Sequence, residues 1–363
     1  MEKTATAQTV WKKMENKEPI VISGPCSAET ELQVLDTAIR LAKTDKVDML
    51  RAGIWKPRTK PGNFEGIGEK GLPWLEKAKD ITGLPFTVEV AKATHVEAAL
   101  KHNVDVIWIG ARTTVNPFSV QEVADALKGV DVPVMVKNPI NPDLNLWIGG
   151  LERIEKVGIK QLGVIHRGFS NFGNTEFRNA PMWHIPIELK RQFPDLPVIC
   201  DPSHICGRRD TLLDVAQKAI DLDFDGLMLE SHIDPDNAWS DAKQQVTPEQ
   251  LEELLGEIVW RHEAQHKEEF QDALSTYRER INHIDDEVLA LLGNRMKVAA
   301  EIGKYKKEKD ITILQTTRWN EVLEDAVKKG EKMGLTEKFI ARFFDAVHIE
   351  SINRQNRVMN EDE

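Results

Sequence analysis

The residues Arg51-Ala-Gly-Ile-Trp-Lys56-Pro-Arg58-Thr59 put three cations directly after a short apolar run at 47–50. Pro57 fixes its own φ and lacks an amide donor, so Lys56 and Arg58 stand on a stiff corner. Arg and Lys bind phosphate and carboxylate through charge-assisted hydrogen bonds, so the corner suits a small anion. One basic corner alone is ordinarily a solvated turn. Here, however, a polar cluster follows every apolar run. Cys26-Ser-Ala-Glu29 follows the first run, and Glu89 lies in the third. Arg112-Thr113, Lys137-Asn138, His166-Arg167 and Asp201-Pro-Ser-His204 come next in order. Glu230-Ser-His232 closes the series, with Asp241 shortly after.

Two kinds of chemistry separate within this set. Arg51, Lys56, Arg58, Arg112, Lys137 and Arg167 make a ring of cations wide enough for two phosphates and a carboxylate. Cys26, His204, Glu230 and Asp241 offer a thiolate, an imidazole and two carboxylates, a mixed donor set suited to a borderline divalent transition ion. Taken singly, Cys26 reads as a small buried hydrophobe and His204 as a hydrogen-bonded core histidine. Cys200 and Cys206 flank His204 and are competing ligands. Cys200 falls within an apolar run and reads as core, and Cys206 lies past its end.

The elements that must position these groups are short strands at 20–23, 48–54, 86–90, 106–109, 134–137, 163–166, 198–201 and 227–231. Amphipathic helical patterns at 30–42, 95–101, 119–127, 145–157 and 210–220 lie between them. Eight βα units in about 250 residues have the rhythm of an α/β protein of the (β/α)8 TIM-barrel type. A doubly wound sheet is the competing architecture. The 363-residue length, at 41% hydrophobic, allows one large domain and a smaller one. A net charge of -11 excludes general nucleic-acid or anionic-membrane binding, so the basic clusters are local sites. No apolar run approaches the ~20 residues needed to cross a bilayer. Three cysteines are too few for a disulfide scaffold, and no leader is evident, so a cytoplasmic location is expected.

After residue 245 the pattern changes. Thr247 caps a last barrel helix with Pro248 at its first position, running to about residue 261. The expected division is a barrel domain at 1–262, a linker at 263–269 and an all-helical domain at 270–363. From 268 to 309 no proline interrupts a helical pattern, which would span roughly 60 Å. Leu274, Tyr277, Ile281, Ile284, Val288, Leu291, Val298, Ile302 and Tyr305 form its apolar stripe. Two shorter helices follow at 317–332 and 336–358, with Gly330 and Gly334 marking the turn. They are too short to cover that stripe, so a homodimer through this domain is expected. Arg295 and Lys306 share a face, whereas Arg278 lies roughly 25 Å from Arg295 along the axis. An antiparallel second copy would bring Arg278 to the same ligand.

Gly24-Pro-Cys-Ser-Ala-Glu29, Lys56-Pro-Arg-Thr59, Gly110-Ala-Arg-Thr113, His166-Arg-Gly168, Asp201-Pro-Ser-His204 and the Glu230…Asp241 pair resemble 3-deoxy-D-arabino-heptulosonate 7-phosphate (DAHP) synthase, in its shorter form with only a brief N-terminal lead. The resemblance implies that Arg112, Lys137 and Arg167, with Arg51, Lys56 and Glu89 nearby, hold phosphoenolpyruvate. It implies that Arg58 and Thr59 hold erythrose 4-phosphate. Cys26, His204, Glu230 and Asp241 would bind Mn²⁺ or a similar divalent ion such as Co²⁺, Zn²⁺ or Fe²⁺, and Lys56 would be the catalytic proton donor. The rival within this chemistry is 3-deoxy-D-manno-octulosonate 8-phosphate synthase; the Lys-Pro-Arg-Thr corner favours the four-carbon aldehyde.

Arg278-Glu-Arg-Ile-Asn282, Arg295, Gly303-Lys-Tyr-Lys306, Arg318, Glu350-Ser351 and Gln355 resemble an all-helical chorismate mutase. Carried over, Arg278 and Arg295 would clamp the carboxylates of chorismate, Lys306 and Gln355 would stabilise charge on the ether oxygen, and Arg318 and Ser351 would also contact substrate. Gln315 stands where many members have Asp, and Trp319 follows Arg318 where Glu is usual. In those members both acids touch the substrate hydroxyl. An alternative reading makes the tail a sensor and dimerisation module. Either way, prephenate is an expected inhibitor of the synthase.

Overall fold

The computed structural model describes residues 6–57, 62, 64–171, 176–261 and 268–360. They fall into two compact units, Met1–Glu263 and Ala264–Glu363. In the first, strands β1 (Ile20–Gly24), β2 (Met49–Arg51), β3 (Phe86–Val90), β4 (Val106–Ile109), β5 (Val134–Lys137), β6 (Leu162–His166), β7 (Val198–Cys200) and β8 (Gly226–Glu230) close in sequence order into a parallel barrel. Pairing of β1 with both β2 and β8 excludes the open, doubly wound sheet. Helices α1 (Ala7–Glu15) and α2 (Glu31–Lys43) come first. Then follow α3 (Leu72–Thr82), α4 (Ala93–Lys101), the short α5 (Ala111–Thr114), α6 (Pro117–Ala126) and α7 (Leu144–Lys156). α8 (His184–Gln192), the short α9 (Pro202–Cys206), α10 (Leu212–Asp221) and α11 (Pro248–Glu257) complete the unit.

Strand alternation sorts the side chains. Ile20, Ile22, Met49, Val106, Trp108, Met135, Ile165, Ile199 and Met228 make one buried cluster within the barrel. Val21, Leu50, Val88, Ile107 and Val164 belong to another, packed against the helices. The segment read as a brief lead is more than that. Thr6 caps α1, and the helix presses Val10, Trp11 and Met14 into the interior cluster, sealing it. The spacing of three apolar residues over five positions was too short a pattern to register as an element.

Other boundaries moved for local reasons. β2 is three residues rather than the expected 48–54, because the chain beyond Arg51 turns to bond the segment that follows β1: the Gly53 amide donates to the Cys26 carbonyl (3.1 Å) and the Ala28 amide to the Gly53 carbonyl (3.0 Å). Gly24, at φ +148°, is required at this junction, since a Cβ there would lie 2.1 Å from the Arg51 carbonyl oxygen. α11 stops at Glu257 rather than near 261, as Ile258 is extended.

The second unit is three helices, α12 (Glu268–Glu308), α13 (Thr316–Glu331) and α14 (Glu337–Asn360). Gly334, at φ +82°, makes the turn after α13, whereas Gly330 lies inside α13, where a Cβ would meet Ile340 Cδ1 at 2.4 Å. α14 packs tightly on α12 at Gly303, where a Cβ would lie 3.0 Å from the Gln355 Cα. The apolar stripe of α12 is open: Tyr277, Ile281, Ile284, Leu291, Val298 and Ile302 are all exposed. Among the described residues no helix is long and apolar enough to cross a membrane.

Because Trp11 is 3% exposed within the interior cluster, Trp11→Ala is expected to destabilise the barrel unit by about 3–5 kcal/mol, read by urea unfolding.

Candidate active sites

Barrel closure brings the C-terminal ends of all eight strands to one rim. Cys26 leaves β1 with its amide donating to Gln245 Oε1 (2.9 Å), while its thiol donates to Asp241 Oδ2 (3.2 Å). The Lys56 ammonium donates to the same sulfur (2.5 Å) and to the Cys26 carbonyl (2.9 Å), and lies 4.0 Å from Asp241 Oδ2. Burial, helped by the nearby Glu230 carboxylate, pushes the Cys26 thiol up to about 12 despite Lys56.

Across the rim, Asp201 caps α9 by accepting from the His204 amide (3.1 Å), and its Oδ2 lies 2.8 Å from His204 Nδ1 and 2.7 Å from Lys137 Nζ. Burial opposes a charged Asp201, yet His204 and Lys137 hold it well below the carboxylate range. On the other side of the ring, His204 Nε2 faces Glu230 Oε1 at 3.7 Å. Glu230 Oε2 accepts from Gln244 Nε2 (2.7 Å), and Oε1 has no hydrogen-bond partner, although Arg51 Nη1 is 3.2 Å away. Burial alone would raise Glu230, but His204, Arg51 and Lys56 keep it below its ordinary value.

The anion-binding groups share this rim. Arg51 and Lys137 stand over the Trp108 ring at 5.1 and 5.6 Å, and the Trp108 indole donates to Glu89 Oε2 (3.3 Å). Gly110 leaves room for Glu89, since a Cβ there would fall 1.9 Å from its Oε1. Arg167 donates to Asn179 Oδ1 (2.8 Å) and is lowered to about 10 by burial, Asp201 opposing and Arg178 and Arg112 assisting, so it stays charged. Arg112 is exposed at the opening. Arg58 and Thr59 lie outside the described residues. His166 turns the other way, as strand alternation requires, into Trp147, Phe169, Trp183 and Phe224, where burial lowers it to about 3. All three cysteines are free; Cys200 is core, and Cys206 donates to the Thr211 carbonyl (3.4 Å).

In the helical unit a cavity of about 300 Å³ lies between α12, α13 and α14, lined among others by Arg295, Lys306, Arg318, Ser351 and Gln355. Arg295 donates to Ser351 Oγ (2.5 Å), and Lys306, lowered by burial, to the Ile313 carbonyl (2.5 Å). Arg278 is exposed on α12 and does not line this cavity.

Residues 4–268 match the DAHP synthetase I family. The chain belongs to that family. Residues 277–356 match chorismate mutase type II. A phospho-2-dehydro-3-deoxyheptonate aldolase of Thermotoga maritima is 32% identical over 66% of this chain and 68% of its own length. A 2-dehydro-3-deoxyphosphooctonate aldolase of Parasynechococcus marenigrum is 28% identical over 67% and 89%. The crystal structure of the Thermotoga maritima DAHP synthase superposes with a TM-score of 0.60 at 31% identity, covering 66% of this chain and 68% of that one. This DAHP synthase thus carries a fused chorismate mutase, a transferase and an isomerase of aromatic biosynthesis in one chain.

DAHP synthases are generally metal-dependent, and the donor types here fit a divalent ion. The set comprises a thiol too basic to ionise without a cation, an imidazole beside Asp201, a Glu230 oxygen with no hydrogen-bond partner and the Asp241 carboxylate. As they stand, no three such side chains among the described residues are grouped closely enough to ligate one ion; the Cys26 thiol bonds Asp241 directly, and the Lys56 ammonium bonds the same sulfur.

Sequence reasoning missed several parts of this DAHP synthase site. Arg178 donates to Asp241 Oδ1 (2.9 Å) and Gln244 Oε1 (2.7 Å) from the segment after β6. Glu29 anchors the segment carrying Asp241 by accepting from the Trp239 amide (2.6 Å) and contacting His232 (3.3 Å). Ser27 and Ser240 hydroxyls meet at 2.5 Å. The aromatic floor, Trp108, lay inside the strand at 106–109 and was not singled out. Of these, only Ser27 and Glu29 lay in a motif that pointed to the site.

Lys137 and Asp201 are 5% and 0% exposed in their side chains. Asp201→Asn, which strands the lysine, is expected to cost about 3–5 kcal/mol of stability at neutral pH by urea unfolding. The depressed Asp201 acid contributes stability above its unfolded value of about 4, so the gap to the variant should narrow as pH falls below that.

Proposed function

We propose that the barrel condenses phosphoenolpyruvate with erythrose 4-phosphate at the rim centred on Lys56, and that the cavity of the helical unit rearranges chorismate to prephenate. The observation that carries the first reading is the junction at Lys56, whose ammonium touches the thiol of the metal-type donor set on one side and stands beside the cation ring on the other. Cys26, His204, Glu230 and Asp241 hold the ion, Mn²⁺ by preference with Co²⁺, Zn²⁺ or Fe²⁺ as substitutes. When bound, the ion supplies Lewis-acid polarisation of an aldehyde oxygen.

Arg112, Lys137 and Arg167, with Arg51 and Glu89, hold phosphoenolpyruvate so that its C3 faces the aldehyde carbon of erythrose 4-phosphate, whose phosphate meets Arg58 and Thr59. The C3–carbonyl bond forms, positive charge develops at C2, water adds there and phosphate departs. Glu89 and Asp201, both within this cation field, prevent it from repelling the developing charge. Lys56 donates a proton to the nascent alkoxide and is reprotonated from solvent. The four-carbon aldehyde is favoured over the five-carbon one by the Lys56-Pro-Arg-Thr59 corner.

In the helical unit Arg295, and Arg278 of a second copy, clamp the two carboxylates of chorismate. Lys306 and Gln355 stabilise charge on the ether oxygen as the bond breaks, and Arg318 and Ser351 complete the binding surface. A unimolecular rearrangement needs only a compact conformer and preorganised charge. The exposed α12 stripe and the distance of Arg278 from the cavity support a homodimer through this unit. Fusion to a downstream enzyme supports prephenate as an inhibitor of the condensation; unchanged synthase rates at saturating prephenate would remove that point.

Chelation by dipicolinate should abolish condensation of phosphoenolpyruvate with erythrose 4-phosphate and leave chorismate consumption unaltered, both followed in one preparation. Persistence of condensation without metal, or turnover of arabinose 5-phosphate alone, would refute the barrel reading. Lys56→Met should lower kcat by about 10²–10⁴-fold with KM changed far less; the reverse pattern would make Lys56 a binding group.

A further inference from the structure

The mutase cavity has an unusual polar inventory. Three cations line it, Arg295, Lys306 and Arg318, and among the described residues no carboxylate does. Chorismate brings two carboxylates, which the cations answer, and one ring hydroxyl, which they do not. A buried hydroxyl left without a partner weakens binding, because its bonds to water are lost. Some neutral group in the wall must therefore meet it.

α14 turns His348, Ser351 and Gln355 to the same cavity, three and four residues apart and so on one helix face. Their hydrogen bonds differ. The Ser351 hydroxyl accepts from Arg295 and donates to the Val347 carbonyl (2.7 Å). His348 Nε2 and Gln355 Oε1 are buried and have no hydrogen-bond partner. Of the other neutral polar side chains of the wall, Gln315 is exposed at the cap of α13, and Trp319 can only donate, through its indole N–H. Buried polar atoms are nearly always paired, so an orphan in a cavity wall marks where a ligand atom belongs. Gln355 already serves the ether oxygen. His348 is left.

Its ring is held as a binding group would be. The Trp319 indole from α13 stacks on the imidazole with centroids 4.0 Å apart and planes 14° from parallel. The stack fixes the ring plane and therefore the direction of both nitrogens. Burial and Arg295 on α12 keep His348 below its ordinary value, with Asp345 on α14 opposing. At neutral pH it is thus a neutral imidazole, able to accept from a hydroxyl at one nitrogen or donate to its oxygen at the other. A carboxylate at this place would instead pair with Arg295.

We propose that His348 recognises the ring hydroxyl of chorismate and that Trp319 is its positioning residue. The proposal rests on the mutase reading above. The test is steady-state kinetics of the full-length protein on chorismate and on an analogue whose ring hydroxyl is replaced by hydrogen. His348→Ala should lower kcat/KM about tenfold on chorismate, the loss of one hydrogen bond, and change it less than twofold on the analogue. His348→Gln should recover part of the loss. Trp319→Ala should show a smaller loss of the same hydroxyl-dependent kind, and Trp319→Phe should recover most of it by keeping a flat ring against the imidazole. Equal losses on both substrates, or none on chorismate, would overturn the assignment. A wild-type protein that does not consume chorismate would instead overturn the mutase reading itself.

Discussion

A buried line of ionisable groups organises the barrel rim: Lys137, Asp201, His204, Glu230 and Arg51, each within 4 Å of the next, with burial holding the His204 imidazole below its ordinary value. Neither carboxylate nor either cation of the line is stable alone at this depth, because burying an unpaired charge costs several kcal/mol. Linked end to end, each carboxylate is held ionised by the groups beside it, and burial, the largest opposing effect on both Asp201 and Glu230, is outweighed. The line also couples the anion ring to the metal-type donors. Lys137 belongs to one and His204 to the other, with Asp201 bonded to both. A change in charge on either side of the rim is therefore felt on the other without movement of the backbone.

The scaffold supplies what that line needs. Closure of the sheet brings β2, β5, β7 and β8 to one rim, and glycines admit the close approaches there: Gly24 lets β1 meet the Arg51 backbone, and Gly110 lets Glu89 turn inward. From the interior, Trp108 carries two of the cations on its face while its indole nitrogen reaches Glu89. Beneath this, α1 completes the barrel's own core. The helix in the segment taken for a brief lead and the Trp108 indole both lie under the chemistry.

The barrel and its rim were legible because strand ends are local. A polar residue at the end of an apolar run or a few positions past it emerges at the rim, so Lys137, His204 and Glu230 were visible as soon as the runs were counted. Arg178 was not, because it reaches Asp241 from a loop sixty-three residues away and nothing in its own neighbourhood marks it. His166 shows the limit of the same reasoning: it sits at a strand end in a conspicuous motif, yet alternation sends it into an aromatic shell while its neighbour Arg167 takes the site. In the helical unit, periodicity gave the long helix and its open stripe. Trp319 registered only as a departure from a family pattern, and its partner on α14 not at all, since a stacked pair across two helices has no sequence spacing.

The two units meet the same problem, holding a small polyanion in place, with opposite means. The barrel encloses its rim on all sides by closing one chain on itself, so it can keep buried carboxylates among its cations and tune each by the next. Three helices cannot enclose a ligand in that way. Their cavity is walled by α12, α13 and α14, with one long apolar face left open and Arg278 far along it. With fewer walls there is room for fewer compensating charges, and the cavity carries none of negative sign among the described residues. Neutral recognition by an imidazole held against an indole follows from that shortage: it adds selectivity for a hydroxyl without adding an anion that Arg295 and Lys306 would capture before any substrate arrived.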